Sequence, residues 1–310
     1  MRAFAQYIMR GRMQAMLVAV VATLLSLLVP PFNYLSGAVV ALVTLRRGWM
    51  DGLTIVIGAG VVVALFAAVT SINPLNAGLF AAGVWLPVWL LALVLRQMVS
   101  LPVTLMIAAV LGIAGVGLTY LVLEAPADTW RATLERVIGE IQLPQESSAP
   151  EMMGQVIEQL VPHMTGMLVA AMVLGWLLSV LLARWWQSLL YHPGGFRREF
   201  HGLRLSRQFA LMCFAILAVS LLTSGKLQEL AANMMIVLVA VYLLHGLALL
   251  HGVVAIKGLH SAWLAGFYIL GLFILPQLAL LLATAAFGDS WLDIRARLNQ
   301  NKPSGGGTET

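Results

Sequence analysis

Residues 184–207 read RWWQSLLYHPGGFRREFHGLRLSR. Arg184, Trp185 and Trp186 close one long apolar run, and Arg204 and Arg207 stand where the next begins. His192-Pro193-Gly194-Gly195 is a turn signal. Arg197, Arg198, Phe196, Phe200 and Leu203 then mix bases with large apolar side chains. Bases and tryptophans at the ends of apolar runs belong at a membrane interface. Before this stretch lie six apolar segments: Met13–Val29, Pro31–Leu45, Leu53–Thr70, Leu79–Leu95, Val103–Leu123 and Met164–Ala183. After it come Leu205–Ser224, Leu230–Leu250 and Trp263–Ala286. A helix of about 20 apolar residues crosses a bilayer. The expected fold is all-α, a polytopic transmembrane helix bundle of nine spans. It is eight if the short segment that begins at Pro30-Pro31 turns back instead of crossing.

Composition supports this class. Of 310 residues 61% are hydrophobic and 10% charged, against about 25% charged in soluble domains. The net charge of +5 does not indicate nucleic acid, because the bases cluster at the ends of apolar runs. Cys213 is the only cysteine, so neither an internal disulfide nor a thiolate metal site can form. Arg2, Arg10 and Arg12 before Met13–Val29 imitate a signal peptide. Pro30-Pro31-Phe32-Asn33 follows without a cleavage pattern, and the reading is an uncleaved first helix.

The charges assign sides. With the N-terminus in the cytoplasm, the inner segments hold twelve bases and two acids, Asp51 and Glu199. The outer segments then hold six bases and eleven acids. This bias is the positive-inside pattern. Nine crossings would put the C-terminal tail outside, although Asp289, Asp293 and Glu309 there balance Arg295, Arg297 and Lys302. The expected organisation is a membrane core at 1–183, a basic cytoplasmic loop at 184–207, a three-helix part at 208–288 and an interfacial helix with a polar tail at 289–310.

Residues 124–163 form an outer helical hairpin in this reading. Trp130, Leu134, Val137, Ile138 and Ile141 make one apolar stripe, with Asp128 as N-cap. Met152, Val156, Ile157 and Leu160 make the other, behind a Ser148–Glu151 capping box, with a turn over Gln142–Pro150. Small residues four apart predict close helix contacts at Gly60-Ala64-Ala68, Gly78-Ala82, Ala108-Gly112 and Gly166-Ala170. Pro87 and Pro276 predict kinks. Trp291, Ile294 and Leu298 predict a short interfacial helix, and Asn299–Thr310 a polar, Gly-rich, disordered tail.

No catalytic constellation is present. H-E-x-x-H and G-x-S-x-G are absent, and Ser224-Gly225-Lys226 lacks the upstream glycine of a phosphate loop. No carboxylate falls at the centre of a span, where a charge costs about 2.5–3.5 kcal/mol. The expectation is a protein that is not an enzyme and needs no cofactor or metal. Candidate ligand-binding residues are Asn73, Asn76 and Trp85 at an outer mouth, and Tyr242, His245 and Gln277 as a polar pocket. Each also reads as an ordinary turn or interhelical contact. Candidate partner- or lipid-binding residues are Arg184, Trp185, Trp186, Arg197, Arg198, Arg204 and Arg207. The loop reads first as an anchor on anionic lipid and second as a docking face for a cytoplasmic protein.

The Trp- and Arg-ended helix, Pro193-Gly194-Gly195-Phe196, Phe200–Leu205, Pro30-Pro31 and Arg46-Arg47-Gly48 together resemble the YybS-like predicted membrane proteins of bacteria, a family of unknown function. The likeness runs from about Ala15 to Ala286. In its early helices the group is similar to the S-components of vitamin transporters and to MreD. That resemblance implies a six-helix core with extra helices, in a bacterial inner membrane. The expected function is a transport-like, small-molecule-binding component without its own energy source, with any ligand on the outer side. The alternative is a scaffold for a membrane assembly.

Overall fold

A computed structural model describes residues 1–70, 73–139 and 149–300, and it is helical throughout, with no strand among these residues. All nine apolar segments are helical. An amphipathic helix α1 (Arg2–Met9) precedes α2 (Arg12–Ser26), α3 (Phe32–Arg47), α4 (Trp49–Val69), α5 (Pro74–Met98) and α6 (Leu101–Val122). The outer segment forms α7 (Pro126–Gly139) and α8 (Ala149–Leu160). One 3₁₀ turn at Val161–His163 then leads into α9 (Met164–Tyr191). The basic loop holds α10 (Gly195–His201), followed by α11 (Arg207–Leu222) and α12 (Gly225–Ile256). The ninth segment is split into α13 (Ala262–Phe273) and α14 (Leu275–Leu292), and α15 (Ile294–Gln300) follows. Helices α4, α5, α6, α12 and the continuous stretch Met153–Tyr191 are each long and apolar enough to cross a membrane.

The shortest of the early segments is the hub. Every residue of α3 from Ser36 to Leu45 is buried, with α2, α4, α5 and α9 packed around it. Apart from Leu42 and Leu45 these residues are small or β-branched, which keeps the helix thin enough for neighbours on all sides. A Cβ at Gly37 would stand 2.6 Å from Ser179 Oγ of α9, so that crossing needs glycine. Not every small-residue pattern is a contact. Gly112 and Gly166 meet neighbours from α9 and α12, whereas nothing approaches Gly60 or Gly78 and Ala68 is exposed. Spacing alone does not say which face of a helix points inward.

The prolines also differ. Helix α5 continues through Pro87. Pro276 lies in the first turn of α14, just past a break at Ile274 (φ −129°, ψ 39°). A proline lacks the amide that would continue the preceding helix, and it is tolerated in a first turn.

Segments that the charge pattern assigns to the inner side meet at one end of the bundle. Arg12 pairs with Asp51, and Arg47 donates to the Met9 carbonyl at 2.5 Å. Arg96 donates to the carbonyls of Thr44 and Leu45. Arg46 lies over the Tyr191 ring, 4.3 Å from its centroid. At the opposite end α7 rests on the start of α9, where Trp130 Nε1 donates to Thr165 Oγ1 at 2.9 Å. The outer hairpin therefore forms as two helices. Asp128 sits in the first turn of α7 instead of capping it, because the helix starts at Pro126. The Gln142–Pro150 turn, the Ser148 cap, Ile141 and the tail beyond Gln300 lie outside the described residues.

One segment changes ends. Asp289 and Asp293, expected outside after nine crossings, pack against Arg204 and Arg295 beside the 201–207 segment. The start of α13 lies near the same segment, since His251, one turn before the end of α12, has its ring 6.1 Å from that of His201. Helices α13 and α14 thus begin and finish at one end of the bundle. Arg295 is buried, so α15 is fastened to the bundle and does not lie free along the interface.

Candidate functional site

Among the described residues three clusters of buried polar groups link different helices, and a pair of cavities adjoins one of them. In the first cluster Trp85 Nε1 donates to Ser36 Oγ at 2.8 Å. Ser36 Oγ donates to the Ala19 carbonyl at 3.0 Å, so Thr23 Oγ1, 2.7 Å away, is left to donate to Ser36. One hydroxyl is saturated with two donors and one acceptor, and it ties α2, α3 and α5 together. Trp85 is therefore a structural anchor, buried to 1% exposure, and not the wall of a mouth. Asn73 caps α5 by accepting from the amides of Leu75 and Asn76. Asn76 is exposed beside it. These three residues are not brought together.

In the second cluster Asn233 of α12 accepts from the Gly166 amide at 2.5 Å and donates to the Pro162 carbonyl at 2.7 Å. Its amide nitrogen also lies 3.1 Å from the Tyr120 hydroxyl, which donates to Glu229 Oε1 at 2.7 Å. A Cβ at Gly166 would stand 2.6 Å from the Asn233 carbonyl oxygen. This knot closes α6, α9 and α12 at the end that carries the outer hairpin.

The third cluster is ionic. His245 and Asp289 are wholly buried, with His245 Nε2 3.2 Å from Asp289 Oδ2. Arg295 Nη2 donates to the same oxygen at 2.9 Å and to the Leu203 carbonyl at 2.7 Å. Arg295 Nη1 donates to the His201 carbonyl at 2.6 Å. The Ile294 amide donates to Asp289 Oδ1 at 2.8 Å. Arg204 pairs with Asp293 and donates to the carbonyls of Asp289 and Ser290. Arg207 donates to the Trp291 carbonyl. The result is two balanced ion pairs that lock the 201–207 segment, α12, α14 and α15. Buried charges persist only when paired and hydrogen-bonded.

Tyr242 and His245 do come together, with ring centroids 6.0 Å apart. Gln277 does not join them and is exposed. Asp289 takes the partner role expected of Gln277. The sequence hid it because Asp289 follows the last apolar segment and was counted with the tail.

The residues expected to meet lipid or a partner divide in the same way. Arg184 is bidentate to Glu199, at 2.9 and 2.6 Å, and reaches Gln187. Trp186 is buried under Phe4 of α1, in an edge contact with centroids 5.6 Å apart, and so does not sit among head groups. Arg204 and Arg207 are tied to α14. Trp185, Arg197 and Arg198 remain available, and among the described residues the last two have no ion pair.

These available residues surround two cavities. One of about 730 Å³ lies between α9–α10 and α12–α13 and is walled by Trp185, Phe196, Phe200, His251 and Tyr268. The other, of about 680 Å³, is lined by Arg197, Arg198, Arg204 and Arg295, with Asp293 the single acid. Arg197 and His201 line both. Inside the first, His251 Nε2 and Tyr268 Oη are 2.8 Å apart. The His201 imidazole, outside the spans, is held below its ordinary pKa by burial and then by the nearby Arg197, His251 and Arg295. It stays neutral in this basic setting.

Fold and composition define an all-α, multi-pass membrane protein. Residues 17–290 match the family of predicted membrane proteins described as DUF2232, and the chain belongs to that family. The YybS-like resemblance agrees with it. No curated protein and no solved structure matches the chain.

Proposed function

We propose that the protein is a membrane-embedded binding component for a small molecule, without an energy source or catalytic chemistry of its own. The binding site in this reading is at the α10 end of the bundle. The observation that carries it is the pair of neighbouring cavities that share Arg197 and His201 in their walls, with Arg198 lining one of them. Pockets of 300–1,000 Å³ with a few convergent polar groups are the usual size of ligand sites. The outer mouth at Asn73 and Asn76 loses its support, because Asn73 is spent on a helix cap. The positive-inside bias supports assigning the α10 end to the cytoplasm of a bacterial inner membrane.

Native mass spectrometry of the full-length protein, gently extracted, tests the reading. A retained molecule is expected in the wild type and in Asn76→Ala, and is expected to be lost in the double variant Arg197→Gln/Arg198→Gln. Retention that follows Asn76 instead would return the site to the opposite end. A second reading, a scaffold for a cytoplasmic partner, draws on the exposure of Arg197 and Arg198 on α10. Cross-linking in cells from a photoreactive residue at Arg198 would capture one defined protein if it holds.

A further inference from the structure

The chemistry of the two cavities differs, and together they describe one ligand. The basic cavity presents four guanidinium groups against one carboxylate. Arg204 is committed to Asp293, and Arg295 to Asp289 and two carbonyls. Among the described residues Arg197 and Arg198 have no ion pair, which leaves their donor forks free. Guanidinium forks match phosphate oxygens in pairs. Neutral His201 on the shared wall still offers a ring N–H.

The other cavity has a mixed lining, with an aromatic wall of Trp185, Phe196, Phe200 and Tyr268 beside polar Ser188 and His251. Its far wall, with Val254, Leu259, Leu264 and Tyr268, comes from the α12–α13 side. Helix α13 is exposed along almost its whole length, and of its residues only Gly271 is buried. Trp263, Ile269, Leu270, Leu272 and Phe273 stand open there. An apolar helix beside a membrane core is covered by hydrocarbon. The cavity therefore joins a phosphate-matching basic patch to a face that acyl chains cover. The floor is rigid, because the His245–Asp289–Arg295 cluster fixes the 201–207 segment beneath it.

From this juxtaposition we propose that the neighbouring cavities form a binding site for a phosphate-headed lipid of the leaflet at the α10 end. The phosphate is held by Arg197 and Arg198 and the chains run along α13. This deepens the small-molecule reading above and rests on it. A soluble phosphate ester would use the same forks but would have no use for the aromatic wall.

The test uses the full-length protein in detergent, titrated with three probes and read by native mass spectrometry. Phosphatidylglycerol carries phosphate and chains, glycerol phosphate only the phosphate, and diacylglycerol only the chains. Phosphatidylglycerol is expected to bind at least about tenfold more tightly than either fragment, since diacylglycerol lacks the charge that the bases meet and glycerol phosphate lacks the chains that the aromatic wall covers. Arg197→Gln/Arg198→Gln should remove that preference, and Leu264→Trp, which fills the aromatic cavity alone, should weaken phosphatidylglycerol while both arginines stay in place. Arg2→Gln, at a base outside the cavities, should change nothing, which separates the site from general attraction to anionic lipid. Unchanged affinity in the double variant, or an equal loss in Arg2→Gln, overturns the proposal. Full-strength, Arg197-dependent binding of glycerol phosphate overturns the lipid while the small-molecule reading stands.

Discussion

The α3 hub and the second half of α12 hold the bundle together by different physics. Around α3, at the heart of the first helices, burial is almost entirely apolar, and polarity is limited to single hydroxyls such as Ser36. Around the second half of α12, the helices are fastened by two ion pairs among Arg204, Asp289, Asp293 and Arg295. The first region is sealed, while the second borders open cavities. An apolar core gains from every contact and tolerates relaxation. A buried ion pair is held only while both partners stay, since an uncompensated charge in low dielectric is costly. The difference teaches where adjustment is available: hydrocarbon and small side chains fix the scaffold, and the charged end is where loss of one group has a large, local effect.

Four experiments would break or sharpen this contrast. The largest effect is all or none. In a Cys213→Ser background, a cysteine replacing Gln300 should react with an impermeant reagent from the same side as one replacing Arg198, and from the opposite side to one replacing Asn76. Labelling of Gln300→Cys with Asn76→Cys would discard the same-end placement of α13 and α14. Next, Asp289→Asn should cost about 3–5 kcal/mol, as expected when one partner of a buried pair is removed. Thermal unfolding in detergent would show it, and a loss as small as that of an exposed pair would mean the cluster is hydrated. Ser36→Ala should cost less, about 1–3 kcal/mol, by leaving the Trp85 and Thr23 donors unsatisfied. Trp85→Phe on that background should then restore part of the loss. Least of all, breaking the exposed Arg131–Glu158 pair, 2.9 Å apart, should change stability by less than about 1 kcal/mol.

His201 adds a pH dependence of known sign. Its pKa is lower in the folded protein than the roughly 6.5 of a free histidine. The unfolded chain therefore binds its proton first. The contribution of His201 to stability is complete above about pH 6.5 and declines as pH falls below that value. Between pH 7.5 and 5 the unfolding midpoint of wild type should fall relative to that of His201→Gln.

Much of the fold was legible. Nine apolar segments became helices, and the alternation of charges named the segments that meet at each end. Arg46, Arg96 and Arg184 stand at one end of the bundle because each lies near the end of an apolar helix that finishes there. The candidate sites were less legible. Asn73 and Trp85 carry functional groups, but a cap and a saturated hydroxyl consume them, and hydrogen-bond partners are set by packing. Asp289 stands just past the last apolar segment and belongs to a buried pair with Arg295, six residues on. No short-range spacing signalled the pair, because the helix breaks at Asp293 between the two partners.

The sequence by itself determined that this is a helical membrane protein, which helices exist, and which ends of most of them share a side. These follow from local composition and from the cost of burying charge in hydrocarbon. Only the tertiary structure decided that the short α3 is the hub, that the last apolar segment bends at Ile274 and returns, and that Arg197 and Arg198 are the loop bases left unpaired. Those outcomes depend on which side chains from distant segments reach one another, and a period or a charge count contains no such distances.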